Sequence, residues 1–313
     1  MSVVYVVGAH IPAGGAYMAY HLGLLLNRHF GRPVVSVDPR RIDEDDVFER
    51  EAALPRIGIE EMLARAGTAD ILICNPSFSH FGLGLRFPGR TLSYLQGFNT
   101  YPLLDVHFER YVCVSRFVAD YVRGLYAIDA KVIPAFVEAP PEPPPPWRER
   151  PARRALVHTK GATLLHRAVE DEVMRRLRSR CPDVSFEPLL AQGRVAHDAL
   201  MRRLGQHRYL ITLAPAEGFG LVPLEAMSLS VAVAGFDGFG GREFMVPGAN
   251  CLVTRYGDID GVVERARRML LDDALAASLA HDGVGTASRY TRAAFERRWI
   301  DEFAEFLDER PRA

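Results

Sequence analysis

Lysine is nearly missing from this chain. Of its 38 basic residues only Lys131 and Lys160 are lysines, the rest being arginine. The default cation is therefore a guanidinium, and each ammonium marks a position to inspect. Cysteine is scarce too: Cys74, Cys113, Cys181 and Cys251 are scattered, with no CxxC or Cys/His spacing. That excludes a disulfide framework and a cysteine-bound zinc, and it points to a reducing compartment. The cytoplasm is the expected location. No apolar run approaches the roughly 18 residues of a membrane span. The opening MSVVYVVGAH lacks the basic segment and cleavage site of a signal peptide and reads as a strand. A net charge of −1 excludes a nucleic-acid binder working through bulk electrostatics.

What is present is an ordinary globular composition, 48% apolar and 25% charged over 313 residues. That length favours two domains of about 150 residues over one. Proline is the most unevenly placed residue, with six in APPEPPPPW at 139–147. Proline fixes φ and offers no backbone donor, so 139–150 reads as an extended linker between near-equal parts.

Before it, apolar β-branched runs at 3–9, 33–38, 69–75, 91–97, 110–115 and 130–136 alternate with helical patterns at 17–30, 58–66 and 116–127. After it, strand-like runs at 154–159, 184–190, 209–215 and 231–236 alternate with helical ones at 163–180, 196–205 and from 221, and strong amphipathic patterns cover 259–272 and 293–310. Continuous apolar strands interleaved with helices predict mostly parallel sheets covered on both faces. The fold class is α/β, with two doubly wound domains that bind ligands at the carboxyl ends of their strands. The cleft between two such domains is the expected site.

Three turns follow predicted strands and open helices. HIPAGGAY at 10–17 carries Gly14 and Gly15, whose amides can approach a phosphate at a helix N-terminus. It is not GxGxxG, and a plain tight turn explains it equally well. HTKGATLL at 158–165 puts Lys160 and Gly161 in the second turn, where an ammonium would neutralise a diphosphate; a solvated loop lysine is the other reading.

The third turn is AEGFGLVPLEAM, 216–227. Gly218 and Gly220 expose backbone donors, and Pro223 suits the first turn of a helix. Glu225 then lies about one turn into that helix, where a carboxylate can accept from both ribose hydroxyls. Glu217 stays on the loop. Dipole compensation would explain Glu225 alone, but not the paired glycines.

Glu217, seven residues and Glu225, written EGFGLVPLEAM, resemble the motif of retaining GT-B glycosyltransferases of glycosyltransferase family 4 (glycosyltransferase group 1). The later VAVAGFDGFGGREFM, with Gly240, Gly241 and Glu243, resembles that family's next Gly-Gly-x-Glu turn. The runs 114–138 and 248–272 resemble the end of its first domain and the strand–loop–helix after its donor site.

The resemblance implies a GT-B fold, two Rossmann-like domains facing across a cleft. The acceptor-side domain would be 1–138, the donor domain 151–292, and 293–313 a helix packing back on the first domain. It implies sugar transfer from a nucleotide-diphosphate donor with retention, without metal or other cofactor. Glu225 would hold the ribose and Glu217 would contact the sugar near its anomeric face. The amides of Phe219, Gly220 and Leu221, with Gly218, would meet the diphosphate or sugar. Lys160 would neutralise the leaving group, and Gly14 and Gly15 would approach the same phosphates. His10 and Gln96 are acceptor-side candidates.

One departure is clear. The family's arginine five residues before the lysine is Ala155 here, with Arg154 and Arg167 as candidate substitutes.

Partners are then the nucleotide sugar and a saccharide, lipid-linked or small-molecule acceptor. The basic residues at 175–180 and 202–203 leave room for peripheral membrane contact, though an exposed helix face accounts for them as well. Asp258 and Asp260 in DID precede a helix and read as a cap rather than a metal motif. The run at 43–46 reads as a solvated loop, and His21 as packed. Two other functions fit the architecture: a non-catalytic GT-B-like protein that binds a nucleotide or a partner, and a nucleotide-sugar epimerase. The intact Glu217, Glu225 and Lys160 favour the transferase.

Overall fold

The computed structural model describes residues 2–8, 14–39, 53–98, 103–138, 140, 142–161, 163–190 and 195–309. It divides into two compact units, one of residues 1–136 with 292–313 and the other of 137–291.

In the first unit β1 (Val4–Val7), β2 (Val34–Asp38), β3 (Arg56–Gly58), β4 (Ile71–Cys74), β5 (Arg90–Leu95), β6 (Arg110–Cys113) and β7 (Lys131–Val132) form one sheet in the order β3-β2-β1-β4-β5-β6-β7. Every pairing in it is parallel. The central strands VYVV and ILIC are buried at every position, as the two-sided cover of a parallel sheet requires. Its helices are α1 (Gly14–Phe30), α2 (Ile59–Arg65), the short α3 (Leu83–Arg86) and α4 (Arg116–Tyr126). Ser115 starts α4 by accepting from the Val118 amide at 3.3 Å.

The second unit builds a five-stranded sheet from β8 (Arg154–His158), β9 (Ser185–Pro188), β10 (Tyr209–Thr212), β11 (Ala232–Phe236) and β12 (Leu252–Thr254), in the order β12-β11-β10-β8-β9. It too is parallel throughout. Around it lie α5 (Leu164–Arg180), α6 (His197–Gly205), α7 (Leu221–Ser228), α8 (Ile259–Leu271) and α9 (Asp273–Ala287). The proline-rich approach packs on this unit. Buried Arg150 donates to the carbonyls of Pro145, His207, Leu229 and Ser230, and Trp147 packs on Tyr209 with Arg208 over its ring. The chain then returns to the first unit as α10 (Arg292–Asp308).

The buried face of α10 carries Phe295, Trp299, Phe303 and Phe306 at helical spacing. Trp299 meets Tyr94 edge-on at 5.0 Å and Phe303 meets Phe30 at 5.1 Å. Glu302 on the same face is fully buried and pairs with Lys131 at 2.7 Å and Arg110 at 3.2 Å. One of the two lysines is thereby assigned to fastening α10.

Helix α9 is absent from the pattern read in the sequence. Its run DALAASLAHDGVGTA carries two glycines and a blurred apolar face. Gly283 fits it to its neighbour: a Cβ there would sit 3.2–3.3 Å from Met227 side-chain atoms, so the missing side chain lets α9 approach α7. The strand expected over 130–136 is cut to two residues of ladder, Lys131–Val132. Asp258 caps α8 through the Gly261 amide at 2.9 Å, and Asp260 pairs with Arg176. His21 is packed among the rings of Tyr17, Tyr20 and Phe136.

Candidate active site

In the second sheet β8 has β9 on one side and β10 on the other, so the strand order reverses between β8 and β10. Crevices beyond the carboxyl ends of strands at such a reversal are where open parallel sheets bind ligands. Lys160 follows β8 by two residues, and the Glu217 loop follows β10. Lys160 Nζ donates to Glu217 Oε2 at 2.8 Å, with the lysine side chain 60% exposed and the carboxylate 15%. The ammonium is thus held at the mouth of the site and remains reachable by an incoming anion.

The backbone of Glu217 is sewn to the turn after β11. Its amide donates to Gly238 O at 2.8 Å, and its carbonyl accepts from the Gly240 amide at 3.1 Å. Residues 238–240 form a γ-turn closed by Gly240 N–H to Gly238 O at 2.8 Å. Phe239 at its centre has φ 62° and ψ −64°. That conformation is strained for a residue with a Cβ and persists only where its surroundings impose it. Here the Phe239 amide donates to Asp237 Oδ1 at 3.0 Å, and Arg242 bonds the same carboxylate at 2.7 Å. Gly240 must be glycine, because a Cβ would stand 2.2 Å from Gly218 O.

Gly220 has φ 93° and caps α7 without a side-chain acceptor, and the first turn of α7 holds no acidic residue. The helix therefore presents its leading amides with no side chain bonded to them, the arrangement that suits an anion. The ring of Phe219 is buried against Phe244 and Tyr290, so only its backbone is left for a ligand. Glu225, in the second turn, is buried. Its Oε1 lies 2.9 Å from His197 Nε2, and its Oε2 has no hydrogen-bond partner among the described residues.

Three groups absent from the reading by sequence converge here. His158 ends β8, is buried, and its Nδ1 is 3.4 Å from Thr212 Oγ1. Burial lowers its pKa; Glu217 pulls it up, Lys160 down and Glu225 up, so it feels all three charged groups. Burial alone would lower the pKa of His197. The hydrogen bond and charge of Glu225, with Glu138 and Asp198, outweigh it and leave His197 raised. Glu170 on α5 stands behind the Lys160 loop, where a Cβ on Gly161 would come within 2.7 Å of its Oε1. Burial raises its pKa, against the amides of Lys160 and Gly161.

The residue five positions before Lys160 lies inside a strand. Ala155 is an interior residue of β8, paired with Tyr209 and Phe186 and fully buried. The turn between β8 and Lys160 is too short to hold a residue five positions upstream. Arg154 opens β8, at the strand end opposite Lys160, and pairs with Glu187 at 3.8 Å. Arg154 therefore lies too far from Lys160 to take that place. Arg167 is exposed on α5.

In the first unit Gly14 and Gly15 open α1. Gln96 bonds both to Asn75 and to this turn, donating to Gly15 O at 2.7 Å. A Cβ on Gly15 would lie 2.8 Å from Gln96 Oε1, so the glycine accommodates the amide. His10 lies outside the described residues. Among the described residues no group of three or more His, Cys, Asp or Glu side chains is set to hold a metal ion, and no helix is long and apolar enough to cross a membrane.

The two Rossmann-like parallel-sheet units match the fold of GT-B glycosyltransferase structures. Residues 189–283, the stretch that holds Glu217 and Glu225, match the family model of Glycosyl transferases group 1. No curated protein matches the chain. Among solved structures it is similar to a sucrose-phosphate synthase from Thermosynechococcus elongatus, 15% identical at a TM-score of 0.72 over 98% of this chain and 99% of that one. The lipopolysaccharide outer core galactosyltransferase WaaB is similar at 14% identity and a TM-score of 0.70, over 98% and 100%. TarM of S. aureus, solved with UDP, is 14% identical at a TM-score of 0.60. It covers 78% of this chain, and the match spans 56% of that longer chain.

Proposed function

We propose that this chain is a retaining glycosyltransferase that moves a hexosyl group from a nucleotide-diphosphate sugar to a saccharide, lipid-linked or small-molecule acceptor, without a metal, in the cytoplasm. The observation that carries it is the convergence, at one sheet reversal, of Lys160, Glu217, an uncapped helix N-terminus and a buried Glu225 with one bare oxygen.

Each part has a task. The Glu225 carboxylate accepts from the ribose hydroxyls. The amides of Gly218, Phe219, Gly220 and Leu221 receive the diphosphate and sugar. As the bond from the anomeric carbon to the diphosphate breaks, the sugar becomes oxocarbenium-like and negative charge grows on the leaving group. Fixed amides and the Lys160 ammonium act where that charge develops.

The Lys160–Glu217 pair gives the donor-free site a resting state. An arriving diphosphate competes for the ammonium, which frees the Glu217 carboxylate to accept hydroxyls of the sugar beside its anomeric face. His10 and Gln96 stand on the acceptor side of this scheme; the bond of Gln96 to Gly15 makes it a brace for the glycine turn.

UDP is the first nucleotide to try, since TarM was solved with it. The test is thermal stability against UDP, GDP, ADP, dTDP and CMP with and without EDTA. Saturation at about 100 times Kd adds about 2.7 kcal/mol. One diphosphate that raises the melting temperature in EDTA supports the metal-free donor site. NMR of the glycoside product then reads whether the anomeric configuration is kept. Ala155, at the position where the resembled family has an arginine, favours one rival: a nucleotide binder without transfer. Wild-type protein that binds a diphosphate but neither transfers nor hydrolyses its sugar ester would make that rival the better reading.

A further inference from the structure

His197 has no task in the scheme above, yet its placement is specific. It opens α6, and its Nε2 lies 2.9 Å from Glu225 Oε1 with the side chain 21% exposed and the carboxylate 7%. Glu225 is thus half satisfied: Oε1 is engaged, and Oε2 is buried without a partner among the described residues. A fold that needed Glu225 only for packing would leave neither a buried carboxylate nor a bare oxygen there, because an unmet buried acceptor is costly. The terminal torsion of a glutamate is broad and two-fold, so a carboxylate held by no partner has no defined plane.

We propose that His197 is the positioning residue of the donor site, its Nε2–H fixing the plane of the Glu225 carboxylate so that Oε2 meets the ribose hydroxyls of a nucleoside diphosphate. This rests on the reading of Glu225 as the ribose acceptor. The charges facing His197, from Glu225, Glu138 and Asp198, all favour its protonated form, and an imidazolium is the stronger donor to a carboxylate. His197 touches no reacting atom. It acts through Glu225.

The role is tested by calorimetric binding of UDP, GDP and ADP, each beside its 2′,3′-dideoxy counterpart, to wild type, His197→Ala and His197→Gln. For the diphosphate that binds wild type, His197→Ala weakens affinity about tenfold, the loss of one charge-assisted hydrogen bond. The dideoxy counterpart, with no hydroxyl for Glu225 to hold, changes by less than about twofold, the tolerance of uncoupled sites. His197→Gln, whose amide can still reach Oε1, recovers most of the loss. A merely structural histidine would weaken both nucleotides alike.

Equal losses for the two nucleotides, or no loss in His197→Ala, overturn the positioning role and leave the ribose reading standing. If wild type binds no diphosphate, the ribose reading fails and the inference falls with it. Should His197→Ala not fold, His197→Asn, too short to reach Oε1, takes its place in the same comparison.

Discussion

Lys160 is 60% exposed in its ion pair with Glu217, and a pair so open to solvent on one side adds little stability, so its removal should be read in rate. Lys160→Ala is expected to fold normally and to lower sugar transfer, or hydrolysis of the donor, about 10²–10³-fold. A variant that loses less than about tenfold would take Lys160 out of the reaction. The histidines make a separate prediction, in stability. The folded pKa of His197 is raised from 6.5 because Glu225 outweighs burial. The stability it contributes is therefore full below its unfolded value and is lost as pH rises through the folded one. His158 is lowered by burial, so its contribution is present above its unfolded value and is lost as pH falls. The two slopes oppose each other in the wild type. In His197→Gln only the second should remain, leaving stability that rises with pH from acid to neutral; urea unfolding across that range measures it. A variant curve parallel to wild type would uncouple His197 from folding.

At the scale of elements, the γ-turn after β11 is the support on which Glu217 is built. Gly240→Ala would press a Cβ against the Gly218 and Glu217 carbonyls, at 2.2 and 2.5 Å. It should cost about 1–3 kcal/mol and lower activity further than that loss of stability explains, because the bridge that aims Glu217 must move. Gly285→Ala on α9 meets open space and is expected to stabilise by about 0.5–1 kcal/mol with activity unchanged. Urea midpoints and activity on the two variants decide both.

The sequence made most strands and helices legible because the apolar runs are continuous in strands and periodic in helices. Lys160 and Glu217 stand out as candidates because each follows a strand end with glycine beside it, and Glu225 because it lies in the helix that the same glycine turn opens. Three things escaped. Helix α9 depends on a glycine contact with α7 that no periodicity records. His158 stood in the quoted HTKG turn, but nothing local marks a strand-end histidine as facing two glutamates from other segments. His197 meets Glu225 only through the fold, 28 residues away. Ala155 shows another limit of local reading: five residues back from Lys160 falls inside β8 rather than in the turn, because the strand runs almost to the lysine.

At the scale of the molecule, the first unit is made of two separated pieces of chain, and α10 supplies one face of its core. Trp299, fully buried, is the largest side chain of that face. Trp299→Ala should cost about 3–5 kcal/mol, seen as a lower urea midpoint. An unchanged midpoint would mean that α10 is dispensable to the first unit.

The same discontinuity sets an order of events during biosynthesis. The ribosome makes 1–136 first, then all of 137–291, and only afterwards the helix that completes the first core. At 5–20 residues per second the gap lasts roughly ten to thirty seconds. In that interval the docking surface around Phe30 and Tyr94 stands uncovered, while the second unit has every residue it needs to fold. The later-made unit can therefore finish before the earlier one, and the nascent chain offers a chaperone a defined apolar target until α10 emerges.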